Sequence, residues 1–314
     1  MSSQNPTQAY AHPIARPRFD LYAILMRYRL WFFLGPPLLV TLVLLVVPLV
    51  ILLQYSFFTH VPGKGMVFVF TLDNYVKFFT DTYYLTGTLI TLGTGALISV
   101  ATLIVCYPVA FYYARSHFRY KGLILVLLLA PFYVNIIVKI YGWMIILGRT
   151  GMVNQFLLAF NIMSRPYDFL ESYIGIIIIL VHVQSPIMVL SLIGPLQNIS
   201  DSLIHTARVC GARDRTIFKD VILPLSMPGV LSGSMLVFAA TVAAFIVPLV
   251  VGGKIGFQFL SVMVYQQMNT IQNWAFGAAI AVVLLALSIG VVTLYSIILK
   301  ASKVGVIMSE KFIR

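Results

Sequence analysis

Six long apolar runs constrain the fold of this 314-residue chain more than any other feature of its sequence. They cover approximately residues 31–53, 86–114, 123–147, 172–193, 229–251 and 274–299. A bilayer core about 30 Å thick needs roughly 20 apolar residues per helical span. Since 60% of the residues are hydrophobic and only 10% are charged, too little polar surface is left to coat a soluble globule. The sequence therefore predicts an all-α, polytopic membrane protein with a six-transmembrane-helix bundle.

The first apolar run is too long for the core of a signal peptide. No small-residue cleavage site follows it before Gln54. We therefore expect this run to be retained as a membrane span.

The distribution of positive charge predicts the orientation of the chain. Most of the 21 lysine and arginine residues fall in the two terminal tails, residues 1–30 and 300–314, and in the connections that follow the second and fourth spans. Because such residues accumulate on the cytoplasmic side, both tails and the connection 194–228 are expected to be cytoplasmic. The net charge of +12 thus reflects topology, and we expect no nucleic-acid partner.

The connection 194–228 differs from the rest of the chain because it mixes charged and small residues. Asp201 is expected to cap a helix, and Gly211 to end it. Asp214 is expected to cap a second short helix that runs to Lys219. This pattern predicts a compact helix-turn-helix protrusion at the membrane surface.

One face of the first of these helices carries mostly small side chains at helical spacing: Leu203, Thr206, Ala207 and Cys210. Such a face allows close docking into a groove on another protein. The alternative is an ordinary structured loop without a partner.

The stretch HTARVCGARDRTIFKDVILPLSMPG resembles the EAA motif of ABC importer permeases, with Gly211 at the motif glycine. His205 stands where the motif has glutamate, so the usual charge contact lacks its carboxylate here, whereas docking by shape would survive. In that family the loop forms a coupling helix that sits in a cleft of a separate ATPase. The resemblance implies ATPase-coupling residues at Leu203, His205, Thr206, Ala207, Cys210, Gly211, Ala212, Leu223 and Pro224.

The resemblance extends from the first span to about Lys300 and looks closest to the spermidine/putrescine-type branch. It is carried by PFYVNIIVKIYGWMIILGRTGMVN, AFIVPLVVGGK and NWAFGAAIAVVLLAL. It implies a type I transmembrane permease subunit of the bacterial inner membrane that works by alternating access on a small organic solute from an external solute-binding protein. A polyamine is the first expectation, with opine-like, amino-acid-derived or phosphonate solutes as alternatives. The implied partners are a second homologous permease subunit, giving a heterodimer, and a cytoplasmic ATPase dimer that holds ATP and Mg.

The predicted spans offer little chemistry of their own. No aspartate or glutamate lies in the core of a span, which argues against a proton-coupled carrier. The chain has no phosphate-binding G-x-x-x-x-G-K motif, and His182 is the only histidine within a predicted span. We therefore expect no catalytic residue, metal or cofactor in this chain. The remaining alternatives are an ATPase-independent channel or secondary carrier, or a membrane-embedded scaffold.

Lys139 is the sole charge deep within a predicted span. We expect it either to face a cavity or the partner subunit, or to snorkel to the outer headgroups. A fixed cation there would disfavour a bare polyamine and suit a solute with a carboxylate. With other polar and aromatic groups it could line a substrate path, although interhelical hydrogen bonding is a competing interpretation. The candidate path residues are Tyr133, Asn135, Lys139, Tyr141, Trp143, His182, Gln184 and Ser185.

Overall fold

The computed structural model describes residues 21–116 and 119–301, with side chains over 33–116 and 119–297. It divides into two units, residues 1–51 and 52–314. The predicted tail 1–30 is described only from residue 21, and residues 21–30 belong to the first helix. The predicted tail 300–314 lies outside the described residues beyond residue 301.

Helices form nearly all of the regular structure in the described part of the chain. The elements in chain order are α1 (Leu21–Ser56), β1 (Phe58–Val61), β2 (Gly65–Phe70), α2 (Asp73–Thr80), α3 (Thr82–Arg115), α4 (Lys121–Tyr133), α5 (Ile136–Leu147), α6 (Met152–Ala159), α7 (Tyr173–Gln197), α8 (Asp201–Val209), α9 (Asp214–Ile217), α10 (Leu223–Ala243), α11 (Ile246–Val251), α12 (Gly253–Gly256), α13 (Leu260–Tyr265) and α14 (Trp274–Ala301).

Six helical stretches are long and apolar enough to cross a bilayer. They are Phe33–Ser56, Thr82–Arg115, Ile136–Ala159, Tyr173–Gln197, Asp214–Ala243 and Trp274–Ile297, and the shorter apolar helix Lys121–Tyr133 precedes the third. The prediction of an all-α membrane bundle with six spans is confirmed.

The third predicted span is interrupted. Helix α4 ends at Tyr133 and α5 begins at Ile136. The side-chain oxygen of Asn135 accepts a hydrogen bond from the amide of Ile137 over 2.8 Å. Asparagine favours such a capping position over a helix interior, so a new helix starts within the apolar run 123–147 where the sequence predicts one span.

The fifth predicted span, 229–251, is also interrupted. Helix α10 ends at Ala243, and α11 begins at Ile246 after two residues of non-helical chain. The hydroxyl of Ser261 donates a hydrogen bond to the carbonyl oxygen of Ala244 over 2.8 Å. A backbone polar group that loses its helical hydrogen bond inside a membrane needs another partner. Ser261 provides one for the carbonyl group of Ala244 at this break.

The core of the larger unit lies around α7, which packs against both α3 and α10. Glycines allow the helices to approach closely. A Cβ atom at Gly229 of α10 would lie 2.6 Å from the carbonyl oxygen of Ser191 on α7, and one at Gly233 would lie 2.8 Å from the sulfur of Met188. These glycines therefore fix how near α7 and α10 can lie.

The end of the bundle that carries β1 and β2, called the hairpin end, is built from short elements. The two strands pair antiparallel around Gly63, whose φ is +80°. A small cluster of buried side chains then joins α2, α3, α13 and α14, with Tyr84 packing edge-on against Phe276. The opposite end, which carries residues 194–228, is called the loop end.

A buried amide organises the segment between α5 and α7 at the hairpin end. The Asn154 side chain is 1% exposed. It donates to the carbonyl oxygens of Gly148 and Tyr167 and accepts from the amide of Tyr167, each over 2.9 Å. Nearby, Arg149 pairs with Asp168 through both carboxylate oxygens, and the hydrogen bond from this guanidinium lowers the pKa of Asp168.

Candidate coupling loop and substrate path

The loop protrusion, residues 198–222, begins with a capped helix. The hydroxyl of Ser200 accepts a hydrogen bond from the amide of Ser202 over 3.3 Å, so Ser200 is the N-cap of α8. Asp201, the predicted cap, instead lies in the first turn, where a carboxylate favours the positive end of the helix dipole. The predicted cap is thus wrong by one residue.

Gly211 ends this helix, as predicted. Its φ is +82°, a region that glycine enters without the penalty that a Cβ atom brings. The amides of Gly211 and Ala212 bond back to the carbonyl oxygens of Arg208 and Ala207 over 2.9 and 3.0 Å. The turn therefore satisfies carbonyl groups that the end of α8 leaves free.

The second helix of the protrusion does not stop before the fifth span. Helix α9 continues through a π-helical turn, Phe218–Ile222, directly into α10. The amide of Leu223 bonds to the carbonyl oxygen of Phe218, five residues earlier. This wider turn accommodates Pro224, which has no amide hydrogen for a regular helical bond. The prediction of a separate short helix ending near Lys219 is therefore wrong.

The outward face of α8 differs from the predicted one. Ala207, together with Ile204 and Ala212, packs against the chain's own core. Val209 is 88% exposed, although the sequence analysis did not single it out. Val209 lies three residues after Thr206, and residues at this spacing lie on the same face of a helix. The exposed side chains of the predicted coupling set are Leu203, His205 and Thr206 on α8, Cys210 directly after α8, and Pro224 on α10, while Leu223 is partly buried.

Arg115, the last residue of α3, connects the second span to the protrusion. Its Nη1 donates to the carbonyl oxygen of Ile199 over 2.8 Å and to the carboxylate of Asp201 over 2.7 Å. A second ion pair, Arg208 with Asp214 at 3.1 Å, bridges α8 and α9. This role of Arg115 could not be predicted from local sequence, because it depends on two segments more than 80 residues apart.

Lys139 makes a backbone contact, and its predicted roles at a cavity, at a partner subunit or at the outer headgroups remain predictions. Its ammonium donates a hydrogen bond to the carbonyl oxygen of Pro131 over 2.9 Å. That carbonyl lies in the last turn of α4, where the helix leaves acceptors unsatisfied and carries partial negative charge. The ammonium of Lys139 thus supplies a donor to a carbonyl group beside the break in the third span.

The other candidate path residues fall into separate groups. Trp143 Nε1 donates to His182 Nδ1 over 3.1 Å, which joins α5 to α7. Ser185 bonds through its hydroxyl to the carbonyl oxygen of His182 over 2.8 Å, and Gln184 is 5% exposed. By contrast, Tyr133 of α4 and Tyr141 of α5 are strongly exposed, and Asn135 caps α5 as described above. The structure thus distributes these residues over α4, α5, α7 and the break between α4 and α5.

A pair of aromatic side chains beside the fifth-span break was missed by the sequence analysis. The rings of Phe245 and Tyr265 stack with their centroids 5.7 Å apart and 22° between their planes. Both side chains are partly exposed, although 20 residues separate them. Pro248 could have indicated a break in this span from the sequence. The contact between the two rings, however, depends on how the chain returns through α11–α13.

Within the described ranges, no group of three or more histidine, cysteine, aspartate or glutamate side chains is placed to hold a metal ion. The features that the structure does assemble are an exposed helical protrusion at the loop end and two broken helices within the bundle.

Comparison with known proteins identifies the family. Residues 13–303 match the family described as "Binding-protein-dependent transport system inner membrane component". The chain is 33% identical over 237 residues to the spermidine/putrescine transport system permease protein PotB of Escherichia coli, covering 76% of this chain and 86% of PotB. It is 31% identical over 162 residues to the putative 2-aminoethylphosphonate transport system permease protein PhnU of Salmonella typhimurium, covering 51% and 56%.

A solved structure has the same fold. A chain in the crystal structure of a bacterial alginate ABC transporter, in complex with an alginate pentasaccharide-bound periplasmic protein, superposes with a TM-score of 0.71 at 14% identity, covering 90% of this chain and 97% of that one. The family match, the sequence identity and the six apolar helices agree with one another. The chain therefore belongs to the binding-protein-dependent transport system inner membrane component family and is a multi-pass permease subunit of an ABC importer.

Proposed function

We propose that this permease carries a polyamine, such as spermidine or putrescine, delivered by an external binding protein. The supporting observation is the 33% identity to a spermidine/putrescine permease over most of both chains. In this proposal the loop end and both termini are cytoplasmic, and the hairpin end faces the binding protein. The chain forms one half of the pore, paired with a second, similar permease subunit in a heterodimer.

The position of Lys139 weakens an objection to a cationic solute. A free ammonium in the path would repel a polyamine, because two like charges interact strongly where water is scarce. Here the ammonium is drawn to the Pro131 carbonyl oxygen, where the negative end of α4 offsets its charge. A polyamine therefore meets, at this residue, a cation whose charge is partly offset.

The two helix breaks support a path at mid-membrane. Transporters commonly bind solute where spans are interrupted, since unwound backbone and helix ends present polar groups to the cavity. Helix α11, which follows the fifth-span break, packs against α5, which follows the third-span break. The exposed rings of Phe245 and Tyr265 offer faces to an ammonium group, and the polyamine path is proposed to run along this side of the bundle.

The loop protrusion is proposed to couple this path to ATP hydrolysis on a separate ATPase dimer, which holds the ATP and Mg. Exposed Leu203, Thr206 and Val209 of α8, with Cys210 directly after it, form a face without long side chains that can seat in a cleft. Movement of the ATPase dimer would then reach the spans through α8, α9 and α10. This chain contributes translocation and no hydrolysis.

Reconstitution tests this proposal. The permease pair, the ATPase and the cognate binding protein would be placed in proteoliposomes, and ATP-dependent uptake of radiolabelled spermidine measured. We expect saturable uptake that requires both ATP and the binding protein. The proposal is wrong if spermidine neither binds to the binding protein nor accumulates, while the same complex hydrolyses ATP and imports another solute.

The similarity to a putative 2-aminoethylphosphonate permease gives a second candidate, a phosphonate solute. Calorimetric titration of the binding protein with spermidine and with 2-aminoethylphosphonate separates the two. Submicromolar affinity for the phosphonate and none for the polyamine would select the second candidate.

A further inference from the structure

At the hairpin end, the chain exposes a set of large apolar side chains directly after the first span. They lie on β2, at the start of α2 and along α2, and we call them the apolar strip: Phe68, Phe70, Leu72, Val76 and Phe79. Among the residues that the structure describes, Phe68 is 74% exposed and Phe79 is 58% exposed. A contiguous exposed apolar surface commonly marks a contact with a membrane or with another protein.

The spacing of the strip shows that its residues belong together. Phe68 and Phe70 lie two residues apart on β2, and such residues point to the same side of a strand. Leu72, Val76 and Phe79 follow one another at intervals of four and three, which places them on one face of α2. Another face of α2 buries Phe78 against the bundle. The helix therefore has two apolar faces, and one of them is left uncovered.

The base of the hairpin holds the strip beside the end of the first span. The span ends at Ser56, and Phe58, two residues later, pairs with Phe70. The rings of Phe57 and Phe70 stack with their centroids 5.2 Å apart. Helix α2 is tied to the same point, because the hydroxyls of Tyr75 and Ser56 share a 2.7 Å hydrogen bond. The strip therefore lies where an apolar span gives way to the polar surface of the membrane.

The charges around the strip favour lipid over a soluble protein as its partner. Residues 65–72 contain no charged side chain. Lys77 follows Val76, but its ammonium lies 4.4 Å from the centre of the Phe276 ring on α14, so its charge is directed toward the bundle. Protein interfaces that form and dissociate are about as polar as the remaining surface. Aromatic and aliphatic side chains beside a span instead suit the interfacial layer of a bilayer.

We propose that the apolar strip inserts into the interfacial layer of the bilayer, where it contacts the headgroups and the upper parts of the acyl chains. The hairpin and α2 lie along the membrane surface and hold the ends of the first and second spans at a fixed depth. This proposal requires only that the chain crosses a bilayer, so it stands or falls independently of the solute.

Fluorine NMR of the assembled permease subunits in nanodiscs, before an ATPase is added, tests the depth of the strip. Trifluoromethylphenylalanine would replace Phe68 or Phe79, and relaxation by oxygen, which concentrates in lipid, would be compared with relaxation by a water-soluble nickel chelate. The same label at the exposed Val209 of α8 is the control. We expect the oxygen-to-nickel ratio at both strip positions to exceed that of the control by roughly fivefold or more.

Two other results would overturn the proposal. Nickel relaxation equal to that of the control would place the strip in water, and its loss on addition of the external binding protein would identify that protein as the partner. Shielding from both agents would show that the second permease subunit covers the strip.

A matched pair of valine variants provides an independent measurement. V76E places a carboxylate in the strip, whereas V209E places one on the exposed face of α8. We expect V76E to lower the melting temperature in nanodiscs by several degrees and V209E to change it by about one degree or less. Equal shifts of the two variants would also overturn the proposal.

Discussion

Lys139 and Pro131 are joined by a 2.9 Å hydrogen bond that crosses the break in the third span. In an uninterrupted helix, the carbonyl of Pro131 would accept from the amide four residues later. The helix stops before that amide is in position, and an ammonium from the next helix takes its place. A charged side chain within the membrane is costly. Here the ammonium of Lys139 donates to a backbone carbonyl group that the membrane leaves without water.

Substitution of Lys139 tests this relationship. K139L removes the donor and leaves the carbonyl of Pro131 unpaired, whereas arginine can still reach it. Because hydrogen bonds to charged groups contribute roughly 1.5–3 kcal/mol, we expect K139L to lower the melting temperature and the uptake rate and K139R to stay near wild type. Thermal unfolding in detergent and uptake by proteoliposomes would measure both. A K139L variant equal to wild type in both assays would contradict the assigned role.

Gly211 allows a test of backbone conformation alone. A Cβ atom there meets no other atom within 4 Å, yet φ is +82°. Valine should therefore destabilise the turn by about 1–2 kcal/mol, while asparagine tolerates this region. We expect G211V to reduce ATP-driven uptake severalfold and G211N to retain most of it. Equal uptake by the two variants would mean that the turn geometry is not required.

Ser200 and Ser202 form a matched pair for the start of α8. Loss of the Ser200 cap typically costs about 1 kcal/mol, which corresponds to roughly fivefold faster amide exchange in the first turn. S202A leaves the capping oxygen in place and should change exchange little. Hydrogen–deuterium exchange with mass spectrometry of the α8 peptide separates the two variants. Protection that responds only to S202A would show that the cap is assigned to the wrong residue.

Gly229 tests the contact between α7 and α10. The Cβ atom of alanine would lie 2.6 Å from the Ser191 carbonyl oxygen, and overpacking of this kind costs roughly 1–3 kcal/mol. Gly93 on α3 has open space around it and serves as the control. We expect G229A to lower the melting temperature by several degrees and G93A to leave it unchanged or raise it. A fully stable G229A would mean that the two helices separate without penalty.

Asn154 tests the segment between α5 and α7. N154A removes three buried hydrogen bonds and leaves backbone groups of Gly148 and Tyr167 unpaired, so we expect a loss of roughly 2–4 kcal/mol. Its neighbour Gln155, whose bond to Thr150 is exposed, should lose less than about 1 kcal/mol as Q155A. Limited proteolysis of the segment, read beside thermal unfolding, would measure both. Similar protease resistance of the two variants would contradict this account.

Much of the fold was predictable because a bilayer imposes length and polarity on every span. The turn at Gly211 was also predictable, since a glycine after a short amphipathic segment has few other uses. Ser200 shows the limit of such reasoning. Serine and aspartate are both good caps, and the choice was decided by Arg115, which engages Asp201 from a distant helix.

The arrangement of the candidate path depended on tertiary contacts that sequence spacing does not contain. Lys139 lies eight residues from Pro131, a distance that brings them together only if the helix between them breaks. Likewise, Phe245 meets Tyr265 only because α11–α13 fold back toward α10. Ala207 was assigned to the docking face by its size, but small residues suit a helix–helix contact inside the chain equally well.

The junction of α9 with α10 makes the fifth span a lever. Thirty residues from Asp214 to Ala243 form one uninterrupted helical stretch, about 45 Å long at the usual rise per residue. Rotation of this rod by about 5° around its midpoint would displace each tip by roughly 2 Å in opposite directions. A push of that size on Asp214 at the loop end would swing the far tip, beside Phe245, to the extent that the π-helical turn Phe218–Ile222 and Pro228 do not bend.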